Sequence, residues 1–158
     1  MRLRLLGLVA TMTVLAGCHS APTTTAQTGG TTEAPPPAAT LSPADELKQQ
    51  VGDRVFFAFD KSDISTDAQA ILARQADFTK KYPSLTFTIE GNCDERGTRE
   101  YNLALGERRA TADKDALVAL GVDAGRLKTI SYGKERPAVA GHDEAAWAQN
   151  RNAITVIN

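Results

Sequence analysis

The sequence predicts an α+β domain, built as a two-layer βαβαβ(α)β sandwich in which a four-stranded sheet carries its helices on one face. Strand-like and helical hydrophobic patterns alternate over residues 44–158. Two of the helical patterns are long enough to cover four strand-like runs as a second layer. Alternation of this kind normally implies parallel crossover connections, whereas periodicity leaves the order of the strands open.

The chain before this domain has the features of a lipoprotein signal peptide over residues 1–17. Arg2 and Arg4 form a basic start, an apolar run over residues 5–15 follows, and small residues precede Cys18. This ending resembles the lipobox of bacterial lipoproteins and makes Cys18 the predicted lipidation site; an ordinary signal peptide with an incidental cysteine is the alternative. In the enterobacterial pattern an aspartate after that cysteine retains a lipoprotein in the inner membrane, so His19 indicates the outer membrane.

Residues 18–43 are predicted to be the lipidated cysteine and a disordered linker to the domain at 44–158. The segment is rich in Thr, Pro and Ala and has almost no large apolar side chain. Such a segment cannot bury enough surface to offset its ordering entropy. The domain can therefore stand away from the membrane that anchors it.

Composition and motifs exclude several classes of function. The formal net charge of −1 at pH 7 gives the chain no electrostatic reason to bind nucleic acid. No GxSxG, HExxH or P-loop motif is present, so we predict no enzyme activity, no cofactor and no metal site. A hydrolase or metal site built from Cys93 and His142 stays open as an alternative, although a free cysteine is more commonly a buried packing residue.

The first half of the domain contains a short helix, a strand and a long helix. Residues 44–50 suit a short helix because Pro43 can occupy its first turn. The run from Val55 to Phe59 is apolar on both faces, which indicates a strand beside a helix layer. Ser65 can cap a helix whose apolar residues keep helical spacing until Pro83 ends it.

The second half contains three strands and two helices. Residues 85–89 alternate between apolar and polar side chains and predict a half-buried strand. A helix is predicted over residues 98–120, with Gly121 as its C-cap. Strands are predicted over 127–132 and 154–157, and between them a short helix over 143–150 carries Trp147, the only tryptophan.

The turn and helix after the second strand could bind an amino-acid head group. Asp94 lies in the turn and Arg109 on the helix, so a carboxylate and a guanidinium can clamp the ammonium and carboxylate of one ligand, or pair with each other. Asn102, Leu105 and Gly106 share the helix face with Arg109. A mid-helix glycine costs about 1 kcal/mol relative to alanine, which is tolerable where something approaches the backbone closely. Spacing alone equally allows a solvated face with a surface salt bridge.

Six stretches of the domain share their motifs with one protein family. They are Phe59–Ile64, Glu90–Thr98, Tyr101–Ala110, Ser131–Pro137, Gly141–Ala146 and Asn150–Arg151. Together they resemble the peptidoglycan-associated lipoproteins of Gram-negative bacteria, whose C-terminal module is an OmpA-like domain. The resemblance covers about residue 52 to the end, and the family motif Asn-x-x-Leu-[Ser/Gly]-x-x-Arg-Ala is met by Asn102, Leu105, Gly106, Arg109 and Ala110.

The resemblance implies noncovalent binding of the diaminopimelate in the peptidoglycan stem peptide. Asp94 would accept the ligand ammonium and Arg109 would hold its carboxylate. Phe59, Asp60 and Ile64 match the stretch that the family places along the same groove. Core packing for Phe59 and Ile64 and loop capping for Asp60 are the competing roles.

The resemblance also implies partners and a setting in the cell. The chain would link the outer membrane to the cell wall in the Tol-Pal system, bind the periplasmic protein TolB and contact other Tol proteins, and support envelope integrity and cell division. The family's TolB surface overlaps the wall-binding helix, which predicts that the two partners compete. An OmpA-like module that binds only proteins, without wall binding, is the alternative.

Three positions depart from the family pattern. Asn92 stands where many members have histidine, and Asn152 replaces a frequent arginine near the last strand. Asp113 occupies a usually apolar position one turn beyond Arg109, where it could pair with that arginine. We expect Asp113 to be exposed at the helix edge instead, because burial of an unpaired carboxylate is costly.

Overall fold

The computed structural model describes residues 41–158. The predicted signal peptide, the lipidation site at Cys18 and the linker up to residue 40 lie outside these residues. The elements, in chain order, are α1 (Pro43–Glu46), a π-helical turn (Leu47–Val51), β1 (Arg54–Phe56), α2 (Thr66–Lys81), β2 (Phe87–Asn92), α3 (Arg99–Ala119), a 3₁₀ turn (Ala124–Arg126), β3 (Leu127–Gly133), α4 (Glu144–Asn150) and β4 (Asn152–Ile157). In this part of the chain, no helix is long and apolar enough to cross a membrane.

The four strands form one sheet in the order β1-β4-β2-β3, which confirms the α+β fold class. β2 and β3 are parallel, as expected for two strands joined by a helical crossover. β4 lies between β1 and β2 and is antiparallel to both. The sheet is therefore mixed rather than wholly parallel, because the last strand returns through the short α4 and inserts in the middle.

Helices α2 and α3 pack on the sheet around one hydrophobic core. Val55 of β1, Leu72 of α2, Ile89 of β2 and Leu117 of α3 are all fully buried in it. On α2 the buried residues keep the helical spacing that the apolar pattern predicts. The core therefore fixes α3, which carries half of the predicted site residues, against the end of β2.

The helix starts follow the capping residues in the sequence. The Ser65 hydroxyl accepts a hydrogen bond from the Ala68 amide and begins α2. Thr98 does the same for α3, and the carboxylate of Asp143 does so for α4. Gly121 adopts a φ of 92°, a left-handed conformation that suits glycine after a helix end. These boundaries agree with the predicted ones within one or two residues.

Two strands differ from prediction in where they end. β1 stops at Phe56, whereas the apolar run predicted a strand to Phe59. The chain turns away after Phe57, and Asp60 takes a φ of 57° in the loop that follows. β2 begins later than predicted and continues through Gly91 to Asn92. Both shifts bring the loop residues that follow β1 and β2 to the same end of the sheet, where these two strands finish.

α3 and β2 approach each other backbone to backbone at two glycines. A Cβ atom on Gly106 would lie 2.8 Å from the carbonyl oxygen of Gly91 and would overlap the Ser131 hydroxyl. A Cβ atom on Gly91 would overlap the Gly106 carbonyl. Only glycine fits at either position, so the helix carrying Arg109 sits directly on the strand that leads to Asp94.

The N-terminal helical segment is attached to α2 by side-chain contacts. Glu46 accepts hydrogen bonds from the Lys81 ammonium at 2.7 and 2.8 Å and from the Tyr82 hydroxyl at 2.7 Å. Arg74 donates to the Val51 carbonyl at 2.9 Å, and Gln75 donates to the next carbonyl along the chain at 2.7 Å. The described chain is thus joined to α2 before it enters the sheet.

Candidate functional site

A cavity of about 160 Å³ opens where the β1–α2 loop, the turn after β2 and the first half of α3 meet. Its lining residues are Phe59, Asp60, Cys93, Asp94, Arg96, Gly97, Tyr101, Asn102, Leu105 and Arg109. Pockets for whole drug-sized ligands are roughly 300–1,000 Å³. This cavity therefore suits one end group of a larger ligand.

The structure brings most of the predicted site residues to this cavity and leaves two of them elsewhere. Phe59, Asp60, Asp94, Asn102, Leu105 and Arg109 all line it. Ile64 packs against the hydrophobic core instead. The close approach expected at Gly106 is made by β2 and not at the cavity wall. Ile64 and Gly106 therefore contribute to the packing beneath the cavity rather than to its lining.

Arg109 is fully buried, and its guanidinium is held by backbone carbonyls. It donates to the carbonyl of Lys61 at 2.8 Å, of Asn92 at 2.8 Å and of Ala58 at 3.2 Å. Among residues 41–158 no carboxylate forms an ion pair with it. Burial lowers the pKa of this guanidinium below its ordinary value. The cavity wall therefore contains a buried cation, fixed in place and lacking a paired anion in the described chain.

Asp94 is also buried, but arginines surround its carboxylate. Arg96 donates to it from the backbone amide at 3.1 Å, from Nε at 3.2 Å and from Nη2 at 2.5 Å. Arg151 adds a contact at 3.4 Å. Burial favours a higher pKa, but the hydrogen bonds from Arg96 outweigh it, so the pKa of the Asp94 carboxyl lies below its usual value. Asp94 is thus ionised, and it does not pair directly with Arg109.

Arg96 is the main site residue that sequence reasoning did not single out. Its guanidinium lies between two aromatic rings, 4.0 Å from the Phe59 centroid and 4.1 Å from the Trp147 centroid. Cation–π contacts of this kind form between residues far apart in sequence, so spacing gives no sign of them. The one available signal was its place two residues after Asp94, within hydrogen-bonding reach of that carboxylate.

Tyr101 was also missed, although helical spacing could have found it. It lies one turn before Leu105 on α3 and lines the cavity. Its hydroxyl donates a short hydrogen bond to the carboxylate of Asp60, which raises the pKa of the tyrosine. The bond connects the two sides of the cavity mouth.

The turn between β2 and α3 is shaped by Asn102. Its side-chain amide donates to the carbonyls of Arg96 at 2.8 Å and Thr98 at 3.0 Å. Its backbone carbonyl accepts a contact from the Cys93 thiol at 3.3 Å, and burial raises the pKa of that thiol. His142 instead bonds the carboxylate of Glu95 at 2.7 Å. Cys93 and His142 thus have separate partners and do not form a catalytic pair.

Two departures from the family pattern contact each other. The Asn92 side-chain amide donates to Asn152 Oδ1 at 2.9 Å and to the Glu90 carbonyl at 3.1 Å. Both asparagines are buried and neither lines the cavity. Asn92 reaches the site only through its backbone carbonyl, which accepts from Arg109.

The prediction that Asp113 is exposed is wrong. The residue is fully buried, and neither of its carboxyl oxygens has a hydrogen-bond partner. It does not pair with Arg109 either. Burial raises the pKa of Asp113 to about 8, so the side chain is protonated at neutral pH and the cost of a buried charge is avoided.

The sequence matches the family model described as the OmpA family over residues 56–151. A curated peptidoglycan-associated lipoprotein of Rhizobium meliloti is 54% identical over 120 residues, which cover 76% of this chain and 68% of that protein. One from Haemophilus influenzae is 53% identical over 106 residues, which cover 67% of this chain and 69% of that protein. The matched span contains the whole candidate cavity.

Solved structures agree in fold. The crystal structure of the peptidoglycan-associated lipoprotein from Burkholderia pseudomallei superposes with a TM-score of 0.69 at 43% identity, covering 74% of this chain and all of that one. The C-terminal domain of Helicobacter pylori MotB gives a TM-score of 0.63 at 20% identity, covering 67% of this chain and 84% of that one, and shows a shared fold only. The chain belongs to the OmpA family and, within it, to the peptidoglycan-associated lipoproteins.

Proposed function

We propose that this protein is a noncatalytic envelope lipoprotein that binds peptidoglycan through the diaminopimelate of the stem peptide. The observation that carries the proposal is Arg109. A fully buried guanidinium in a cavity wall, without a paired carboxylate in the described chain, is an attractive place for a ligand carboxylate. Relatives about half identical to this chain are named peptidoglycan-associated lipoproteins, which supports the same ligand here.

The geometry suits one amino-acid head group at the end of a peptide. An arginine has five N–H donors, and backbone carbonyls occupy only three directions around Arg109. The ligand carboxylate takes the remaining donors that face the cavity. Its ammonium lies against Asp94, with Asp60 assisting from the opposite side of the mouth. Leu105 and Phe59 provide apolar contact for the aliphatic chain that leaves the same α-carbon.

The setting we propose is the outer membrane, with the domain in the periplasm. Cys18 carries the lipid, and the segment before residue 44 lets the domain reach the wall. Several acyl chains on one cysteine would anchor the protein stably, whereas a single chain binds a membrane only marginally. The protein would then tie the outer membrane to the cell wall.

Within the Tol-Pal system we propose that TolB competes with peptidoglycan for this site. The support is the family resemblance, which implies a TolB surface that overlaps the helix proposed to bind the wall, α3. When the full chain is mixed with purified sacculi and TolB, binding of one partner should reduce the amount of the other that is bound. Undiminished binding of both partners at once would contradict the overlap.

Sedimentation of the full chain with purified sacculi tests the main proposal. Asp94→Ala and Arg109→Ala should each abolish sedimentation, because each removes one pole of the clamp. Arg99→Ala is the matched control, since Arg99 is an exposed arginine on the same helix outside the cavity. Circular dichroism verifies that each variant is folded.

The same experiment separates the proposal from its alternative, a module that binds only proteins. A free stem peptide containing diaminopimelate should release the wild-type chain from sacculi, whereas one containing lysine should release less. Folded Asp94→Ala and Arg109→Ala variants that still sediment like wild type would eliminate the clamp. The proteins of this family are structural rather than enzymatic, so no turnover is expected.

A further inference from the structure

We infer that Trp147, a residue of α4 outside the cavity, positions Arg96 and thereby sets how tightly the site binds its ligand. The inference rests on the proposed function and assigns Trp147 and Glu95 a positioning role in it. Its basis is a chain of contacts from α4 through the turn after β2 to Asp94.

The first step is the placement of Arg96 at the cavity wall. Its guanidinium carbon lies 4.0 Å from the Phe59 ring centroid and 4.1 Å from the Trp147 ring centroid, and its Nε and Nη2 both donate to Asp94. The arginine side chain is 30% exposed, so without the contacts to the two rings it could adopt several rotamers. The two rings remove that freedom. Phe59 belongs to the cavity, whereas Trp147 does not line it.

The second step is the contact that fixes Trp147. The indole N–H donates to Glu95 Oε1 at 2.9 Å, and His142 bonds the same carboxylate. The Trp147 and His142 hydrogen bonds lower the pKa of Glu95, so this acceptor stays ionised. Glu95 is next to Arg96 in sequence. The ring is therefore anchored to the turn that it covers.

The third step is a set of contacts that join the same two segments. The Lys134 ammonium donates to the carbonyls of Glu95 at 3.1 Å and Gly97 at 2.7 Å, on both sides of Arg96. Glu144 of α4 lies 3.7 Å from the Arg96 guanidinium and 2.7 Å from that of Arg151. The turn that carries Asp94 is thus held by the segment between β3 and β4.

Affinity follows because a site held in its bound geometry loses less freedom when the ligand arrives. Without the Trp147 ring, the Arg96 guanidinium is more exposed to solvent, and its two side-chain hydrogen bonds to Asp94 become less ordered. Asp94 then presents its charge to the ligand in a less defined position. A cation–π contact is worth roughly 0.5–2 kcal/mol, which corresponds to roughly a two- to thirtyfold change in affinity.

The test compares variants at Trp147 by measuring the affinity of the full chain for a stem peptide containing diaminopimelate. Trp147→Ala should bind roughly two- to thirtyfold more weakly. Trp147→Phe keeps a ring over Arg96 and should recover most of that loss. The matched control is Tyr132→Ala, which removes a similar arginine–aromatic contact, Arg136 over Tyr132 at 3.8 Å, away from the cavity. The control should bind like wild type.

A fluorescence measurement gives a second readout that a merely structural role would not change. Trp147 is the only tryptophan, so its emission reports the environment of this one ring. Arg96→Met should shift the emission of the unliganded chain, because it removes the guanidinium that lies 4.1 Å from the indole ring centroid. This readout needs no Trp147 variant, so it stays informative if Trp147→Ala fails to fold.

Three outcomes overturn the inference. They are wild-type affinity in folded Trp147→Ala, equal weakening in Trp147→Phe and Trp147→Ala, and an emission that Arg96→Met leaves unchanged. Asp94→Ala and Arg109→Ala are measured in parallel. If those two lose binding while the Trp147 variants do not, the positioning role alone fails; if none of the variants changes binding, the proposed function fails as well.

Discussion

The candidate site and the core beside it each bury one aspartate, and they stabilise different protonation states. Asp94, 4% exposed, receives hydrogen bonds from Arg96 and a contact from Arg151, so it remains a carboxylate. Asp113, 0% exposed, has no partner for either oxygen and holds its proton at neutral pH. Asp94 lines an open cavity and has donors within reach, whereas Asp113 lies deep in the core and has none.

Arg109 lies between these two regions and explains the contrast. It is one helical turn before Asp113, close enough for a pair, yet it donates to three backbone carbonyls and faces the cavity. The buried faces of α2 and of all four strands contribute no ionisable side chain. The core around Asp113 therefore offers it no cation, whereas the turn after β2 supplies Asp94 with one.

The largest effect is expected from Asp113→Val. The folded pKa of about 8 lies above the ordinary aspartate value of 3.8, so the folded state holds a proton that the unfolded state releases between these values. The free energy of unfolding should therefore fall by about 1.4 kcal/mol per pH unit as pH rises from 4 to 8. The variant removes this slope and should be more stable by about 4 kcal/mol at pH 7. Urea denaturation across this pH range measures it.

Asp115→Val is the control for that prediction. Asp115 is an exposed aspartate on the same helix, so its replacement should leave the slope of unfolding free energy against pH as in wild type. A wild-type slope retained in Asp113→Val would show that Asp113 is not the buried proton acceptor. The comparison between the two aspartates would then fail.

Arg109→Met should have the next largest effect, in the opposite direction. Methionine fills part of the space but leaves the carbonyls of Ala58, Lys61 and Asn92 without a donor. Each unpaired buried acceptor costs about 1 kcal/mol or more, so we expect a loss of about 3 kcal/mol in unfolding free energy at pH 7. Arg108→Met, at the exposed neighbouring position, should change stability by less than about 0.5 kcal/mol. Equal stability of the two variants would contradict the structural role of Arg109.

Asp94→Asn should have the smallest of the three effects and the opposite pH dependence to Asp113→Val. The folded pKa of Asp94 is lowered, so its contribution to stability is present above the unfolded value of 3.8 and is lost as pH falls through the folded pKa. The variant should be less stable than wild type by about 1–2 kcal/mol at pH 7, and this difference should shrink on acidification below pH 4. A difference that grows on acidification would show that Asp94 is not held as a carboxylate.

The sequence predicted the elements of the fold better than their arrangement. Caps such as Ser65, Thr98 and Asp143 act locally, so each fixes a helix start wherever the helix packs. The position of β4 between β1 and β2 depends on pairings between residues far apart in sequence, as in Val55 with Ala153 and Gly91 with Ala153, which periodicity does not encode. Likewise β1 ends early because Arg109 and Arg151 bind carbonyls in the loop after it.

The candidate site was predictable where residues share one helix face or one motif. Leu105 and Arg109 follow from spacing and resemblance, whereas the two rings around Arg96 come from distant parts of the chain. Asp113 shows a different limit. Its spacing from Arg109 places it on the buried face of α3, but the cost of burying a charge argued for exposure. Protonation removes most of that cost, so the position on the helix predicted burial better than the energetic argument did.

The attachment of the N-terminal segment to α2 has a mechanical consequence. Under the proposed function, tension would reach the domain through its N-terminal end, before α1. β1 is an edge strand of three residues, and a force applied directly to it would peel it from β4 one residue pair at a time. The contacts of Glu46 with Lys81 and Tyr82, and of Arg74 with Val51, carry the force into α2 first. The edge strand β1 is thereby shielded from a force applied to the chain before α1.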